Sequence, residues 1–368
     1  MSPEPAALPP HDHAARRDRL RASLARDELD LLLVTGAANV RYLSGFTGSN
    51  GQLLVGAHPD DDRLVTDARY LDRAASEAPE LPVLRSRDAT GAALTQVDGG
   101  RLAVEADHLS FASGRALEDR AAEAGADLVA TQGLVEPLRA VKDDAEVARL
   151  ERACAVTVEA LGWLLDTVVA VGVSELDLAR ALEARFVALG AEAAAFPTIV
   201  ASGPHGAAPH HAPTARPLTR GDPLTVDCGA RVDGYHADCT RTVAIGHLDD
   251  PLAQVHAIVE QAQAAGRAAA LAGATGGQVD AAARTVIERA GHARHFVHGT
   301  GHGVGLEIHE APSIARGSSA ALTSGTALTV EPGVYLSQVG GVRIEDTVLV
   351  TDGAARVLTA APRGLRVL

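Results

Sequence analysis

The sequence predicts a chain of the α/β (α+β) class with two domains. At 368 residues, it exceeds what one hydrophobic core usually holds, and its apolar fraction of 46% suffices for a sizeable core. The first third alternates short apolar segments with amphipathic ones, as in mixed α/β domains. The rest repeats one pattern twice: a long helix, a shorter helix and a hairpin that carries acidic residues. We therefore expect a mixed α/β domain followed by a pseudo-symmetric domain.

The first domain is predicted over residues 13–134, after a Pro-rich tail at residues 1–12 that we expect to be mobile. Its first helix is predicted from His13 to Ala25. Apolar runs bounded by turn residues then predict strands at residues 31–34, 52–55, 63–66, 102–105 and 128–130. Because helices separate several of these strands, a partly parallel sheet is expected.

The second domain is predicted over residues 135–368, beginning with a long helix from Asp143 to about Val169. A shorter helix at residues 174–190 opens at a serine that can cap it and closes at a glycine. The second copy has its helices at residues 252–271 and 277–291. Each pair of helices leads to an acidic hairpin, so the duplication predicts two hairpins that bring four acids together.

The first acidic hairpin is predicted to turn around Val232–Gly234. Because side chains alternate between the faces of a strand, Asp227 and Asp238 should share a face as directly opposed or diagonal neighbours. Cys228 and Cys239 then point to the opposite face, where small apolar side chains pack well. Two carboxylates at this distance repel each other unless a proton or a cation lies between them.

The second hairpin repeats the pattern with Glu331 and Glu345, and Arg343 shares a face with Glu345. Between the hairpins, the segment from His298 to His309 alternates glycine with other residues, which permits close approach to a buried ligand. On the residues alone, both terminal histidines could equally be core residues. Four carboxylates with one imidazole suit two divalent ions, foremost Mn²⁺, with Zn²⁺ or Co²⁺ as alternatives. The pattern thus predicts a two-metal hydrolase.

Composition argues against several other classes of function. The net charge of −14 and the aromatic content of 3% disfavour nucleic-acid and anionic-membrane partners. Three cysteines make no disulfide framework, and no apolar run is long enough for a signal peptide or a membrane span. We therefore expect a cytoplasmic protein. The segment GTGHGVG is not expected to bind phosphate, because it lacks the Lys-Ser/Thr ending of a phosphate-binding loop. Separately, His205 and His211 are expected on surface loops.

These motifs resemble those of the pita-bread metallopeptidases, which include aminopeptidase P, prolidase and methionine aminopeptidase. The resemblance covers about residues 135–368 and rests on the DCG…GY…DCTR hairpin, HGTGHGVGLEIHE, EPG and GVRIED. It implies a set of five metal ligands, of which Asp238 and Glu345 would bridge two ions. The full set is Asp227, Asp238, His302, Glu331 and Glu345.

The resemblance also implies catalytic roles around the ligands. A substrate-contacting histidine falls on His210, with a register that leaves the neighbouring histidine as the alternative. His298 and His309 match histidines that surround the metals and stabilise the reaction intermediate, and Arg343 matches the arginine beside the last ligand. Glu331 would handle the proton that passes to the leaving nitrogen.

The first domain resembles the creatinase-like N-terminal domain of the same family, through NVRYLSGFTGSNG at residues 39–51 and TDARY at residues 66–70. Methionine aminopeptidases lack this domain, so the resemblance does not extend to them over the whole chain. Creatinase works without the metal ligands, so the presence of all five ligands here argues against a creatinase. The resemblance implies an Xaa-Pro aminopeptidase that cleaves proline-containing peptides by attack of a metal-bridging hydroxide, and a homodimer. The alternatives are an Xaa-Pro dipeptidase (prolidase), for which Arg343 or Arg41 could bind the substrate carboxylate, and a non-enzymatic relative.

Overall fold

The structure is a computed structural model that describes residues 7–368. The chain divides into two compact units, one of Pro10–Arg139 and one of Ala140–Leu368 together with residues 7–9. The first half of the predicted tail, residues 1–6, lies outside the described residues. No helix in the described part of the chain is long and apolar enough to cross a membrane.

The smaller unit has a mixed six-stranded sheet with the strand order β4-β3-β2-β1-β5-β6. Strand β1 is antiparallel to β2 and parallel to β5, so the predicted partly parallel sheet is confirmed. The elements are α1 (His13–Arg26), β1 (Leu31–Val34), α2 (Ala37–Ser44), β2 (Gly51–Gly56), β3 (Arg63–Thr66), α3 (Leu71–Glu77), β4 (Val83–Arg85), α4 (Ala89–Leu94), β5 (Arg101–Glu105), α5 (Phe111–Glu123), β6 (Asp127–Thr131) and α6 (Glu136–Ala140).

Residues 39–51, which carry the NVRYLSG motif, help to hold this unit together. Asn39 is buried, and its amide donates hydrogen bonds of 2.6 Å to both Glu105 and Glu136. Arg139 donates to the carbonyl oxygen of the same side chain at 2.7 Å. Because a buried amide is costly unless it is hydrogen-bonded, Asn39 has a structural role here.

The larger unit contains the predicted duplication. Its helices pack in pairs, α7 with α8 and α9 with α10, and each pair covers the strands of its own half. The helices are α7 (Asp144–Thr167), α8 (Glu175–Ala188), α9 (Asp250–Ala269) and α10 (Gly276–Arg289). The strands are β7 (Ala193–Ala194), β8 (Ile199–Ser202), β9 (Pro223–Cys228), β10 (Ala230–Val232), β11 (Tyr235–His236), β12 (Cys239–Ala244), β13 (Gly301–Gly303), β14 (Glu310–Ile314), β15 (Ala327–Val330), β16 (Gly333–Leu336), β17 (Gly340–Arg343), β18 (Asp346–Leu349) and β19 (Arg356–Val357).

Side-chain caps fix where these helices begin. Asp143 and Glu146 form a capping box at α7, and Thr275 and Gln278 form one at α10. Ser174 caps α8 by accepting a hydrogen bond from a backbone N–H of the first turn, as its position in the sequence predicts. The starts of α7, α8 and α10 are therefore encoded locally, whereas α9 begins without a side-chain cap.

Each acidic hairpin passes from one sheet to another partway along its length. In the first, β9 pairs with β12 in one sheet, and β10 pairs with β11 in the next. In the second, β15 pairs with β18 and then β16 with β17. At each crossing the pairing of one sheet ends before that of the next begins, so the backbone there is not part of a continuous ladder of hydrogen bonds. The crossings of both hairpins carry the acidic residues.

The strand register confirms how the first hairpin orients its side chains. Asp227 lies opposite Thr240, which makes Asp238 its diagonal neighbour on the same face. Cys228 and Cys239 are paired directly across the strands and are buried on the other face. The turn has positive φ angles at residues 233–234, the conformation of a tight two-residue hairpin turn.

Candidate active site

Four of the five predicted metal ligands lie at or next to the two crossings, and the fifth, His302, approaches them from β13. Asp227, Asp238 and Glu345 each offer an oxygen, and these atoms lie within 4.8 Å of one another. His302 Nε2 lies 3.3 Å from Glu331 Oε1 and 3.6 Å from Asp238 Oδ2. All five side chains line one cavity of about 350 Å³. Two hairpins from different halves of the duplication thus contribute to a single site.

Two oxygens of this cluster are buried without a hydrogen-bond partner: Asp227 Oδ1 and Glu345 Oε1. The other oxygen of each carboxylate is held, by Arg343 at 2.7 Å for Asp227 and by Thr240 at 2.6 Å for Glu345. A buried carboxylate oxygen without a partner is costly, and cation coordination removes that cost. An oxygen-rich donor set with one imidazole fits divalent ions such as Mn²⁺.

The pKa shifts of the clustered acids are those expected of a cation-binding site. Burial raises the pKa of Asp227, Asp238 and Glu345, and neighbouring carboxylates add to the rise. Burial would also raise the pKa of Glu331, but its hydrogen bond to His302 lowers it on balance. The same contact raises the pKa of His302 against the effect of burial. Divalent ions would stabilise the ionised form of all four acids.

Comparison with known proteins gives the family. Residues 148–352 match the sequence profile of metallopeptidase family M24, and residues 16–141 match the creatinase/prolidase N-terminal domain. The chain belongs to metallopeptidase family M24. As a member of that family it is a hydrolase of peptide bonds, and the expected combination of a creatinase-like domain with a pita-bread catalytic domain is confirmed.

Relatives of this M24 peptidase carry two kinds of name. The uncharacterized peptidase YqhT of Bacillus subtilis is 35% identical over 95% of this chain and 99% of its own length. A structure described as Xaa-Pro dipeptidase from Bacillus anthracis has a TM-score of 0.92, with 35% identity over 97% of this chain and 100% of that one. The X-Pro aminopeptidase structure from Thermotoga maritima has a TM-score of 0.87, with 32% identity over 96% and 99%.

Arg343 connects the acids of this M24 site to the surrounding protein. Besides Asp227, its guanidinium donates to Tyr335 Oη at 2.9 Å, Thr240 Oγ1 at 3.1 Å and the Pro209 carbonyl at 3.3 Å. Burial by itself would lower the pKa of Arg343, but the phenol and carboxylates around it raise it well above the ordinary value. Arg343 is therefore a buried cation with four hydrogen-bond partners, and it balances part of the charge of the acidic cluster.

The predicted catalytic histidines surround the ligands. His210, His298 and His309 line a neighbouring cavity of about 260 Å³ together with Glu331 and Arg343. His298 Nε2 is 2.8 Å from the hydroxyl of Tyr335, and burial lowers its pKa. The ring of His309 lies 4.4 Å from that of His302, centre to centre, and burial lowers its pKa as well. The M24 site thus has, beside its acids, two imidazoles whose pKa is lowered by burial.

The structure also places residues at the site that sequence reasoning missed or misplaced. His211 does not lie on a surface loop: its side chain is 14% exposed and its Nε2 is 3.0 Å from buried Glu175. Tyr335, which bridges His298 and Arg343, gave no signal beyond its place four residues after Glu331. The larger cavity is also lined by six apolar residues: Phe196, Pro197, Ile199, Ala212, Pro213 and Ile308.

Proposed function

We propose that this protein is a two-metal Xaa-Pro aminopeptidase, which releases the first residue of peptides with proline in second position. The observation that carries the proposal is the pair of buried, unpartnered oxygens on Asp227 and Glu345, at the point where all five ligands converge. Names of relatives that include Xaa-Pro dipeptidase and X-Pro aminopeptidase support the substrate class. The intact ligand set argues against a non-enzymatic relative.

Two divalent ions, foremost Mn²⁺, would supply an activated water and polarise the scissile carbonyl. The chain's own residues would do the rest. Glu331, next to His302, would carry the proton to the leaving imine nitrogen. His309 would donate to the oxyanion that forms on the carbonyl oxygen, since its ring borders the same cavity. The free amine of the substrate would lie beside Asp227.

The choice of aminopeptidase over dipeptidase rests on Arg343. A dipeptidase must bind the free carboxylate that follows proline, usually with a cation. Among the described residues that line the two cavities, Arg343 is the only lysine or arginine, and its N–H groups already donate to four protein groups. Because Arg343 is engaged by these protein groups, we infer that it is not held ready for a substrate carboxylate, which favours substrates that continue beyond proline. The NVRYLSGFTGSNG segment at residues 39–51 supports the same choice, because it resembles aminopeptidase P more than prolidase.

A comparison of peptide lengths tests this choice. With Mn²⁺ present, we expect kcat/KM for Xaa-Pro-Xaa tripeptides to exceed that for the matching Xaa-Pro dipeptides by about tenfold or more. Amidation of the dipeptide's carboxyl group should improve its cleavage, because it removes a charge that lacks a partner. Efficient cleavage of free dipeptides with no cleavage of longer peptides would assign the protein as a prolidase.

We further propose that the protein acts in the cytoplasm as a homodimer. The three cysteines are free and buried, which suits a reducing compartment, and the dimer is proposed from the family resemblance. Fractionation of cells should place the protein with cytoplasmic markers, and light scattering should give twice the chain mass. A secreted protein or a fully active monomer would contradict the respective proposal.

A further inference from the structure

A second polar cluster lies in the catalytic unit, centred on Glu175 in the first turn of α8. Its side chain is fully buried, and its carboxylate contacts six polar atoms, all of which belong to residues 202–214. Four of these atoms are the backbone N–H and hydroxyl groups of Ser202 and Thr214, at 2.7–3.1 Å. The other two are His205 Nδ1 at 2.9 Å and His211 Nε2 at 3.0 Å.

These contacts keep Glu175 ionised. Burial alone would raise its pKa, but the hydrogen bonds from Ser202, His211 and Thr214 lower it to about 2. A buried carboxylate with this many donors is a strong anchor, since each donor would lose a charge-assisted hydrogen bond if the segment moved. One side chain of α8 therefore fixes a segment of 13 residues at both ends and in between.

The anchored segment contains His210, which lines both cavities of the candidate active site. Both chain neighbours of His210 are held. The Pro209 carbonyl accepts a hydrogen bond from Arg343 at 3.3 Å, and the His211 ring is bound to Glu175. Because Arg343 also binds a metal-ligand candidate, His210 is fixed between the acidic cluster on one side and Glu175 on the other.

A metal ion is not the best occupant of this second cluster, although its residues include metal-ligating types. The imidazole nitrogens of His205 and His211 contact the carboxylate oxygens directly at 2.9–3.1 Å. A zinc ion would need each ligand atom about 2.0–2.2 Å from itself, between the groups that now touch. The carboxylate oxygens are also saturated by the Ser202 and Thr214 donors.

We propose that Glu175 is a positioning residue that sets the place of His210 in the active site. It acts through His211 and the backbone of residues 202–214, and it touches neither the metal ligands nor the substrate. The proposal rests on the proposed peptidase function and on the substrate contact that the family resemblance implies for His210. It predicts that Glu175 affects the reaction only while His210 is present.

A double-mutant cycle tests the proposal. Glu175→Gln keeps the size of the side chain but sets an amide NH₂ against the backbone N–H of Ser202 or Thr214. We expect this change to lower kcat/KM by about tenfold with bound metal unchanged, and to have no further effect in a His210→Ala background. Asp177→Asn, at an exposed carboxylate of the same helical turn, is the matched control and should leave kcat/KM unchanged.

Two single variants separate the histidines. His211→Gln should reproduce the effect of Glu175→Gln, whereas His205→Gln should have a smaller effect because His205 is not adjacent to His210. If the Glu175→Gln and His210→Ala losses simply multiply, Glu175 acts independently of His210 and the proposal is wrong. A third equivalent of bound zinc that is lost in His205→Gln would also overturn it.

Hydrogen exchange gives a readout that does not depend on activity. Glu175→Gln should speed backbone exchange in residues 202–214, and Asp177→Asn should not. Unchanged exchange in Glu175→Gln would contradict the positioning role. A wild-type protein that binds metal but cleaves no Xaa-Pro peptide would instead contradict the proposed function, so the two failures are distinguishable.

Discussion

The two acidic hairpins of the catalytic unit share one plan, yet they present their acids differently. In the first, Asp227 and Asp238 are diagonal neighbours. In the second, the pairs Val330–Asp346 and Gly333–Arg343 belong to one register, which places Glu331 directly across from Glu345. The two hairpins thus share a plan, and the different positions of their acids along the strands give the two halves of the site different geometries.

The partners of the two hairpins differ as well. Asp227 is held by a buried arginine, whereas Glu331 is held by His302. Glu345 takes its hydrogen bond from Thr240, a residue of the other hairpin. A pseudo-symmetric scaffold therefore holds an asymmetric site, with a carboxylate-rich side and a side that includes imidazole. Two metal positions built this way should differ in affinity and in role.

The largest expected effect comes from the acids proposed to bridge, one from each hairpin. Asp238→Asn and Glu345→Gln should each lose both metal ions and lower kcat/KM on the order of 1,000-fold, since the ions supply several kcal/mol of stabilisation to the transition state. Elemental analysis and kinetics measure both. Asp249→Asn, at an exposed carboxylate, is the control. If either variant retained one ion, the substituted residue would not be a ligand that bridges the two ions.

A smaller effect is expected for the ligands that serve one ion. Asp227→Asn and His302→Asn should each leave about one equivalent of metal, because each belongs to one side of the site, and should lower kcat/KM by about 100-fold. Titration with Mn²⁺ by calorimetry would show one weakened site in each variant, and a different one. The same site weakened in both variants would contradict the asymmetry of the two hairpins.

Arg343→Lys tests the buried arginine at the first hairpin. Lysine keeps the charge but cannot serve Asp227, Tyr335 and Pro209 at once, so we expect kcat/KM to fall by about tenfold or more with both ions retained. The matched control is Arg366→Lys, at a partly exposed arginine. Wild-type kinetics in Arg343→Lys would show that the several hydrogen bonds of the Arg343 guanidinium have no part in the reaction.

The smallest effect is expected on the back of the first hairpin. Cys228→Ala removes a buried sulfur that packs against the core, so the free energy of unfolding should fall by about 1 kcal/mol. Metal content and kcat/KM should not change, because this side chain faces away from the acids. Loss of metal in this variant would contradict the assignment of the two faces. Denaturant unfolding of the metal-free protein measures the change in the free energy of unfolding.

The sequence was sufficient to predict the acidic side of the site. Strand alternation placed Asp227 and Asp238 on one face and Cys228 on the other, and the register confirms this arrangement. The duplication then pointed to Glu331 and Glu345 as their counterparts. The prediction of the two faces succeeded because strand periodicity is a local property that a sequence records directly.

Contacts between distant segments could not be predicted in the same way. Arg343 and Asp227 are 116 positions apart, and nothing local records that they pair. Glu175 follows a capping serine, where an acidic residue is ordinary on helix-dipole grounds alone, so its six contacts with residues 202–214 gave no signal. His211 was placed on the surface for the same reason, since its partner lies 36 positions earlier.

We expect the two acidic hairpins together to hold two divalent ions that the peptidase reaction requires. The most direct test is to measure bound metal and Xaa-Pro peptide cleavage on the same samples, before chelation, after exhaustive chelation and after stepwise return of Mn²⁺. We expect two equivalents per chain, loss of activity with the metal, and recovery that is complete as the second equivalent binds. Unchanged cleavage by protein stripped of all metal would contradict the claim.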